Sequence, residues 1–357
     1  MKVTIIGGGN IGVLMAAEIS KKAEVSVYAT KADIWKPSVD VFDNDDKFLF
    51  SSNPISFTDD LSESTKNTDI VFVTYPSYLF EEIAEQLFQC IEDSVYIGVV
   101  PGSGGAEFAF KKLIDKGCKL FGFQRVHSIA RIKEVGKSVY MLGRKEQVFL
   151  SSIPSEYTSK IKRIIEYFLE MQCVVLPNYL NITLTPSNPI LHTARLYSMF
   201  KNWNPDIVYP ANLLFYESWD NQSSEILLKC DEEVQKLCRA IPLKLSEVNS
   251  LKVHYGVDGI QSMTDKISNI PAFKGLESPM KKVENGYIPD FSSRYFTADF
   301  AYGLKVIKDI AELFGVQTPN INSIWKWYLD ITDKYFSRPK FFSLQSISRD
   351  EFISLYK

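Results

Sequence analysis

The first half of the chain alternates short runs of β-branched and other apolar residues with longer amphipathic stretches. Such an alternation is typical of a parallel sheet whose strands are joined by helices that cover both of its faces. A helix is predicted over residues 158–171. The predicted strands are Val3–Ile6, Val25–Ala29, Asp69–Thr74, Val95–Val100, Lys119–Phe123, Val139–Leu142 and Cys173–Leu176. The pattern therefore predicts a doubly wound α/β domain with a parallel sheet.

Three prolines, Pro177, Pro186 and Pro189, mark the point at which this pattern changes. Beyond them the β-rich runs give way to apolar residues at helical spacing. The predicted helices are Pro189–Lys201, Ser223–Arg239, Leu245–Tyr255, Ala298–Phe314 and Asn320–Asp333. We therefore expect two domains, an α/β domain over residues 1–185 and an entirely α-helical domain over residues 186–357.

The fourth predicted helix has the most complete set of helix signals. Thr297 precedes it and can cap its start, and Gly315 follows it and can end it. Its apolar face is formed by Leu304, Ile307, Ala311 and Phe314. This stretch is expected to pack in the core of the second domain.

The overall composition is that of a folded protein which binds small ligands. The 357 residues exceed what one hydrophobic core usually supports, and 45% of them are apolar. A net charge of -3 favours neither nucleic acid nor an anionic membrane as a partner. The first predicted strand begins almost at Met1, and no apolar stretch approaches the ~20 residues of a membrane helix. We expect a cytoplasmic protein with small-molecule substrates, and we leave a homodimer open.

The cysteines and histidines do not indicate a metal site. The five cysteines are widely spaced and never form a CxxC pair, so reduced, mostly buried thiols are expected. The three histidines, His127, His192 and His254, show no metal-binding spacing such as i, i+4. We expect no metal and no disulfide framework.

A glycine-rich segment, Gly7-Gly8-Gly9-Asn10-Ile11-Gly12, directly follows the first predicted strand and opens a helix. Glycine at position 7 permits a tight turn, and glycine at position 9 lets the backbone approach a pyrophosphate. Glycine at position 12 lets the helix pack close to the strand, while free N–H groups at the helix start hold the anion. This GxGxxG arrangement predicts a dinucleotide-binding Rossmann domain, with Gly7, Gly9, Asn10, Ile11 and Gly12 at the cofactor.

The end of the second predicted strand bears on the choice between NAD and NADP. An acid there would bind both ribose hydroxyls and repel a 2′-phosphate. The segment instead reads Tyr28-Ala29-Thr30-Lys31, so Thr30 and Lys31 offer a hydroxyl and a cation. We favour NADP and keep NAD as the alternative, in which Lys31 is a solvated loop charge.

Two further loops follow predicted strands at the carboxyl edge of the sheet, where open α/β proteins bind ligands. One contains Pro76, and the other contains Pro101 and Gly102 in the run Pro101-Gly102-Ser103-Gly104-Gly105. The second loop precedes a helix and is expected to face the nicotinamide. The alternative is a flexible glycine turn without a ligand.

His192 is the most informative histidine. Asn188-Pro189 reads as a cap followed by the first helical residue, which places His192 in the opening turn of a helix just past the domain junction. We expect it to face the cleft between the domains. Arg195 lies three residues later on nearly the same face, so a proton-transfer group and an anion-binding group could converge there.

The imidazole needs a carboxylate partner for acid–base work, and the segment with Arg294 and Asp299 supplies one. Taken alone, Asp299 in a first helical turn is more often a group that pairs with the helix dipole. Arg294 alone is usually a surface ion-pair residue.

At these residues the chain resembles the octopine/nopaline (opine) dehydrogenase family, which is NAD(P)-dependent. The family's Asn-Pro-x-x-His segment is matched by 188–192, and its Arg-Tyr-x-Thr-x-Asp-x-x-Tyr-Gly-Leu segment is matched by 294–304. The stretch 315–321 also looks familial, and the resemblance spans nearly the whole chain. It implies a Rossmann domain followed by an α-helical domain. It also implies that His192 and Asp299 form the proton-relay pair and that Arg294 holds a substrate carboxylate.

Three departures from the family pattern bear on the amino-acid pocket. Ala298 replaces the usual Glu, and Ala301 replaces a frequent Pro. The customary Pro-Trp-Ala-Cys-Arg reads His127-Ser128-Ile129-Ala130-Arg131. We prefer a structural or solvent-facing role for His127 and keep a substrate contact as the alternative.

The sequence thus predicts an opine-type dehydrogenase that joins the amine of an amino acid to a 2-oxo acid through an imine, with hydride from NADPH or NADH. Two alternatives remain. A ketopantoate-reductase-like or β-hydroxyacid dehydrogenase has the same two-domain plan but typically uses a lysine, and a non-catalytic NADP-sensing protein would bind the cofactor alone.

Overall fold

The structure is a computed structural model that describes residues 1–336, 340–344 and 347–357. The chain forms two compact units. The first comprises Met1–Thr183 together with Ile353–Lys357, and the second comprises Leu184–Phe352. The last five residues therefore belong to the same unit as the N-terminus.

The first unit is built on strands from two sheets. In chain order they are β1 Lys2–Ile6, β2 Glu24–Tyr28, β3 Asp40–Phe42, β4 Phe48–Ser51, β5 Ile55–Thr58, β6 Ile70–Val73, β7 Tyr96–Val99, β8 Lys119–Phe123, β9 Ser128–Glu134, β10 Ser138–Arg144, β11 Gln147–Ile153 and β12 Gln172–Val175. The main sheet has the strand order β12-β11-β8-β7-β6-β1-β2-β5. Its central strand β1 pairs in parallel with β2 and β6 and is buried from Val3 to Ile6, as expected for a strand covered on both faces.

The predicted doubly wound α/β class is confirmed, with one change in the sheet. β11 pairs antiparallel with β8 and in parallel with β12, so the edge formed by β11 and β12 runs opposite to the other strands. β11 follows β10 after only a short turn, without a crossover helix. A parallel pair of strands needs such a crossover connection. The predicted parallel sheet is therefore a mixed sheet.

A smaller sheet in the order β4-β3-β10-β9 was not expected from the sequence. The run predicted as a strand at Val139–Leu142 lies here, inside β10, and pairs antiparallel with β9. β3 and β4 have only three and four residues, and β9 mixes apolar residues with charges in Ser128–Glu134. The sequence pattern therefore identified only β10.

The helices of the first unit cover the main sheet. They are α1 Asn10–Ile19, α2 Leu61–Thr65, α3 Phe80–Cys90, α4 Ala106–Ala109, α5 Lys111–Lys116, α6 Thr158–Leu169 and α7 Leu180–Thr183. α1 packs against β1 and β2 of the main sheet and against β9 and β10 of the smaller one. Because it lies between two sheets, α1 is buried at every residue from Gly12 to Ile19.

The second unit is mostly helical. With the last helix of the chain, its helices are α8 Asn188–Phe200, α9 Asn221–Ala240, α10 Leu251–Tyr255, α11 Ile260–Ser268, α12 Lys305–Phe314, α13 Pro319–Tyr335 and α14 Arg349–Ser354. Asp220 caps α9 by accepting from the Ser223 N–H. A hairpin of β13 Met280–Val283 and β14 Gly286–Pro289 corrects the expectation of an entirely α-helical domain. Within the described ranges, no helix has the length and apolarity needed to cross a bilayer.

Two predicted helices differ from the structure. The helix expected at Leu245–Tyr255 begins only at Leu251. The helix expected at Ala298–Phe314 begins earlier, as a π-helix over Tyr295–Leu304 that continues into α12. Thr297 therefore lies inside this helix rather than at its cap. Gly315, at φ 71°, ends α12 as predicted.

Candidate active site

The glycine-rich turn joins β1 to α1. Gly7 has φ 121°, a left-handed conformation that a side chain would strain. A Cβ at position 12 would lie 1.9 Å from the Gly7 carbonyl oxygen, so only glycine lets α1 approach this turn. A Cβ at position 9 would meet no protein atom within 4 Å. The space beside Gly9, at the start of α1, thus fits the pyrophosphate of a dinucleotide.

Asn10 and Ile11 are engaged with the protein through their side chains. The Asn10 Oδ1 accepts a hydrogen bond of 2.8 Å from the Ile132 N–H on β9. Ile11 is partly buried and packs against the core. These two side chains fix the start of α1, which leaves contacts with a cofactor to the backbone amides of the first turn.

β2 ends at Tyr28 without an acid, and the first acid after it is Asp33, which is exposed. Thr30 and Lys31 are both exposed, and Lys31 precedes a short 3₁₀ turn, Ala32–Ile34. Trp35, which the sequence analysis did not single out, stacks on Phe57 at 5.3 Å. A Cβ at Gly8 would lie 3.5 Å from the Trp35 Nε1, so this indole borders the glycine-rich turn.

The two loops at the carboxyl edge of the sheet lie side by side. Pro76 precedes a short 3₁₀ turn, and a Cβ at Gly104 would lie 2.7 Å from the Ser77 Cβ. Pro101 follows a cis peptide bond. The Gly102 N–H donates to the Phe123 carbonyl at 2.9 Å, and the Gly102 carbonyl accepts from the Tyr179 hydroxyl at 2.9 Å. Gly102 is thus needed for close packing, because a Cβ there would lie 2.8 Å from that hydroxyl.

His127 lies in the core and not at a ligand surface. Its exposure is 0%, and its Nε2 lies 2.7 Å from the Glu18 carboxylate on α1. Arg144 on β10 also bonds Glu18. These two partners hold the pKa of Glu18 below its usual value against the opposing effect of burial. The suggested substrate contact of His127 is therefore corrected to a structural role, which joins α1 to the smaller sheet.

His192 lies on α8 and is hydrogen-bonded at both ring nitrogens. Its Nδ1 is 2.8 Å from the Asp299 Oδ2, and its Nε2 is 3.0 Å from the Tyr216 hydroxyl. An ionised carboxylate can only accept, so Nδ1 carries a proton, and in the neutral ring Nε2 is then the acceptor for the Tyr216 O–H. The ring is 8% exposed and the Asp299 side chain 19% exposed.

The contact between the two motif segments explains how His192 meets Asp299. Pro189 is the second residue of α8 and lies three residues before His192, and Gly303 lies four residues after Asp299 on the π-helix. A Cβ at Gly303 would lie 2.9 Å from the Pro189 Cβ, so glycine lets the π-helix pack directly on α8. π-helical segments often occur at functional sites because they change which side chains share a face.

Aromatic side chains surround the His192 ring. Tyr295 lies at 4.7 Å and Phe215 at 5.4 Å between ring centroids. Burial raises the pKa of the Tyr216 phenol well above its usual value, so this hydroxyl stays protonated. Tyr216 was not predicted from the sequence. The only signal for it was the aromatic run around Phe215-Tyr216-Glu217-Ser218-Trp219.

The two candidate arginines have different environments. Arg195 is 2% exposed, and its guanidinium donates to the Phe215 and Ser218 carbonyls and to the Ser223 hydroxyl. Burial lowers its pKa to about 10, so it remains charged at neutral pH. The expected substrate role of Arg195 is corrected to a structural one. Arg294 is exposed, lies at the start of the π-helix, and is 6.0 Å from the Tyr295 ring.

Comparisons with known proteins agree with this arrangement. The sequence model of the NAD/NADP octopine/nopaline dehydrogenase α-helical domain matches residues 175–332. The model of the NAD-dependent glycerol-3-phosphate dehydrogenase N-terminus matches residues 2–116. Tauropine dehydrogenase of Arabella iricolor is 26% identical over 91% of this chain and 90% of its own length. Octopine dehydrogenase of Mizuhopecten yessoensis is 27% identical over 92% of this chain and 89% of its own length.

A solved structure of octopine dehydrogenase with NADH and L-arginine has the same fold as this chain, with a TM-score of 0.80 and 24% sequence identity. The match covers 93% of this chain and 90% of the octopine dehydrogenase chain. The glycine-rich turn and the two helical-domain motifs thus define an oxidoreductase that binds a nicotinamide dinucleotide. The chain is therefore similar to the octopine/nopaline (opine) dehydrogenases, in its helical half through the family model and over nearly its whole length through these relatives. The resemblance stated from the sequence is confirmed.

Proposed function

We propose that the chain catalyses the reductive condensation of an amino acid with a 2-oxo acid such as pyruvate. The observation that carries this proposal is the contact of 2.8 Å between His192 and Asp299. It joins the two motifs on which the family resemblance rests. The reaction needs a group that takes a proton from the amine and returns it to the departing carbinol oxygen as water forms. A neutral imidazole held by a carboxylate suits both steps.

Each residue of the site has a distinct role in this proposal. Asp299 fixes the ring tautomer and stabilises the imidazolium that forms when His192 takes up a proton. Arg294, exposed five residues before Asp299, offers a planar guanidinium to a substrate carboxylate. The bound nicotinamide supplies hydride to the imine carbon.

The comparison of substrates tests the proposal directly. Consumption of reduced cofactor is measured with pairs of amino acid and 2-oxo acid, with each substrate alone, and with neither. We expect oxidation only when both are present. Oxidation with a lone oxo acid would favour the ketopantoate-reductase-like or β-hydroxyacid alternative. Tight cofactor binding without oxidation under any condition would favour a sensing protein.

NADP is the cofactor we propose, with NAD as the alternative. The support is the absence of an acid after β2, where Tyr28 is followed by Ala29, Thr30 and Lys31, and the exposure of the last two. NADPH should therefore bind more tightly than NADH, and Lys31→Ala should narrow the difference by removing a cation from the 2′-phosphate. Dissociation constants from fluorescence titration measure this. Lys111→Ala, which changes an exposed lysine paired with Asp115, is the control. Equal affinities in the wild type would contradict the proposal.

A further inference from the structure

The hydroxyl of Tyr216 occupies the one position on His192 through which that residue could exchange a proton with a substrate. Nδ1 is committed to Asp299, and Nε2 is bonded by Tyr216 at 3.0 Å. We propose that Tyr216 is the proton relay between His192 and the reacting substrate, in a hydrogen-bonded chain Tyr216–His192–Asp299. This inference rests on the proposed function and adds a residue and a path to it.

The Tyr216 ring is held so that its hydroxyl stays on Nε2. Phe273 stacks on it at 4.2 Å with an angle of 22° between the rings, and the Trp219 ring lies nearly parallel to it at 6.4 Å and 10°. The residue is 7% exposed. Turning the ring away from His192 would break both aromatic contacts. A proton that reaches or leaves Nε2 therefore passes through the Tyr216 oxygen.

The proton transfers between the substrate, Tyr216 and His192 balance in both directions. As the amine attacks the oxo-acid carbonyl, its N–H proton passes to the Tyr216 oxygen, and the Tyr216 proton passes to Nε2. The resulting imidazolium is stabilised by Asp299. In the reverse transfer, Nε2 returns its proton to the phenol oxygen, and the phenol proton goes to the alkoxide, which becomes the carbinol hydroxyl. A second cycle carries the remaining N–H proton along the same path to that hydroxyl, which leaves as water as the imine forms. No phenolate accumulates, because each proton that leaves Tyr216 is replaced.

The charged and titratable groups around Tyr216 are consistent with this role. Tyr295, Tyr255 and Asp299 disfavour the phenolate, and Arg294 favours it. Burial and the three anionic or ionisable neighbours outweigh the single cation, so the group stays a neutral donor. A neutral phenol that bonds Nε2 also favours the neutral imidazole, the form that can accept a proton.

The test replaces Tyr216 with Phe, which keeps the stacked ring and removes only the hydroxyl. The kcat should fall about 10²-fold, within the usual range for a lost proton-transfer group, while KM for both substrates changes little. Tyr197→Phe, a hydroxyl removed from the same helix as His192, is the control and should keep wild-type kcat.

A second measurement does not depend on turnover. The chain has three histidines, so ring-¹⁵N-labelled histidine gives a spectrum that His192→Gln can assign. Tyr216→Phe should shift the Nε2 resonance of His192, because Nε2 loses its hydrogen-bond partner, and Tyr197→Phe should leave that resonance unchanged. Site-specific 3-fluorotyrosine at position 216 should restore most of the kcat that Phe loses.

The outcomes separate the two proposals. A wild-type protein that is inactive with every substrate pair overturns the proposed function and the relay with it. An active wild type whose Tyr216→Phe variant keeps its kcat overturns the relay alone. An unchanged Nε2 resonance in that variant also overturns the relay, because the hydrogen bond on which it depends would be absent in solution.

Discussion

At the residue scale, burial and hydrogen-bond partners distinguish two arginines and two histidines that look alike in the sequence. Arg195 donates to three acceptors inside its unit, and Arg294 is exposed. His127 is fully buried beside Glu18, while His192 is bonded by both Asp299 and the Tyr216 hydroxyl. Sequence spacing could not separate them, because the partners come from distant segments.

Replacement of His192 tests the acid–base role. His192→Gln should leave cofactor affinity unchanged and lower kcat by roughly 10² to 10⁴, the usual range for a lost general acid–base group. Asp299→Asn should give a smaller loss, because the neutral amide no longer stabilises the imidazolium. Steady-state kinetics and cofactor titration measure both. A His192→Gln variant with wild-type turnover would rule out the role.

The glycine-rich turn offers a matched pair of substitutions. Gly9→Val places its side chain where no protein atom lies within 4 Å, so the fold should remain and dinucleotide binding should be lost. Gly12→Val should instead destabilise the protein, since its Cβ would lie 1.9 Å from the Gly7 carbonyl oxygen. Thermal unfolding and cofactor titration separate the two effects. Normal binding by folded Gly9→Val would mean that the pyrophosphate lies elsewhere.

At the element scale, the sequence predicted the long, strongly patterned elements and missed those that depend on distant partners. Strand β8 was predicted with its observed bounds, Lys119–Phe123, and Gly315 ends α12 as expected. The π-helical form of Tyr295–Leu304 was not predicted, because its apolar residues fit an ordinary helix and the packing of Gly303 on Pro189 is not local. The strands of the hairpin β13–β14 have only four residues each, too short for a clear strand signal.

Gly303 provides the test at this scale. In Gly303→Ala the new Cβ would lie 2.9 Å from the Pro189 Cβ, so the π-helix must move away from α8. Such overpacking typically costs about 1–3 kcal/mol, and here it should also lengthen the contact of His192 with Asp299 and lower kcat. Gly259→Ala is the control, because a Cβ there meets nothing within 4 Å. Equal melting temperatures and turnover in the two variants would contradict the role of Gly303.

At the scale of the whole molecule, the change of pattern along the sequence predicts two units. It does not predict that the C-terminal residues belong to the N-terminal unit. Ile353–Lys357 belongs to the N-terminal unit, where the Tyr356 hydroxyl donates to Glu107 at 2.8 Å. Thr183 also donates to that carboxylate. Glu107 on α4 thus binds two segments that lie far from it in the sequence. Nothing in a local pattern identifies such a contact.

Glu107 should make stability depend on pH. Its side chain has 0% exposure, and burial raises its pKa from 4.5 to about 7. Between these values the folded protein keeps a proton that the unfolded chain has released, so raising the pH favours unfolding until the folded carboxyl also ionises near pH 7. The loss amounts to roughly 3 kcal/mol for a shift of this size.

Glu107→Gln removes this titration and keeps an oxygen that can accept from Thr183 and Tyr356. Melting temperatures of the two proteins should therefore converge at acidic pH, and the wild type should fall relative to the variant as the pH rises from about 5 to 8. Carboxylates with lowered pKa values, such as that of Glu18, act in both proteins and cancel in the difference. A difference in melting temperature that stays constant across this pH range would show that Glu107 is ionised in the folded state at every pH tested.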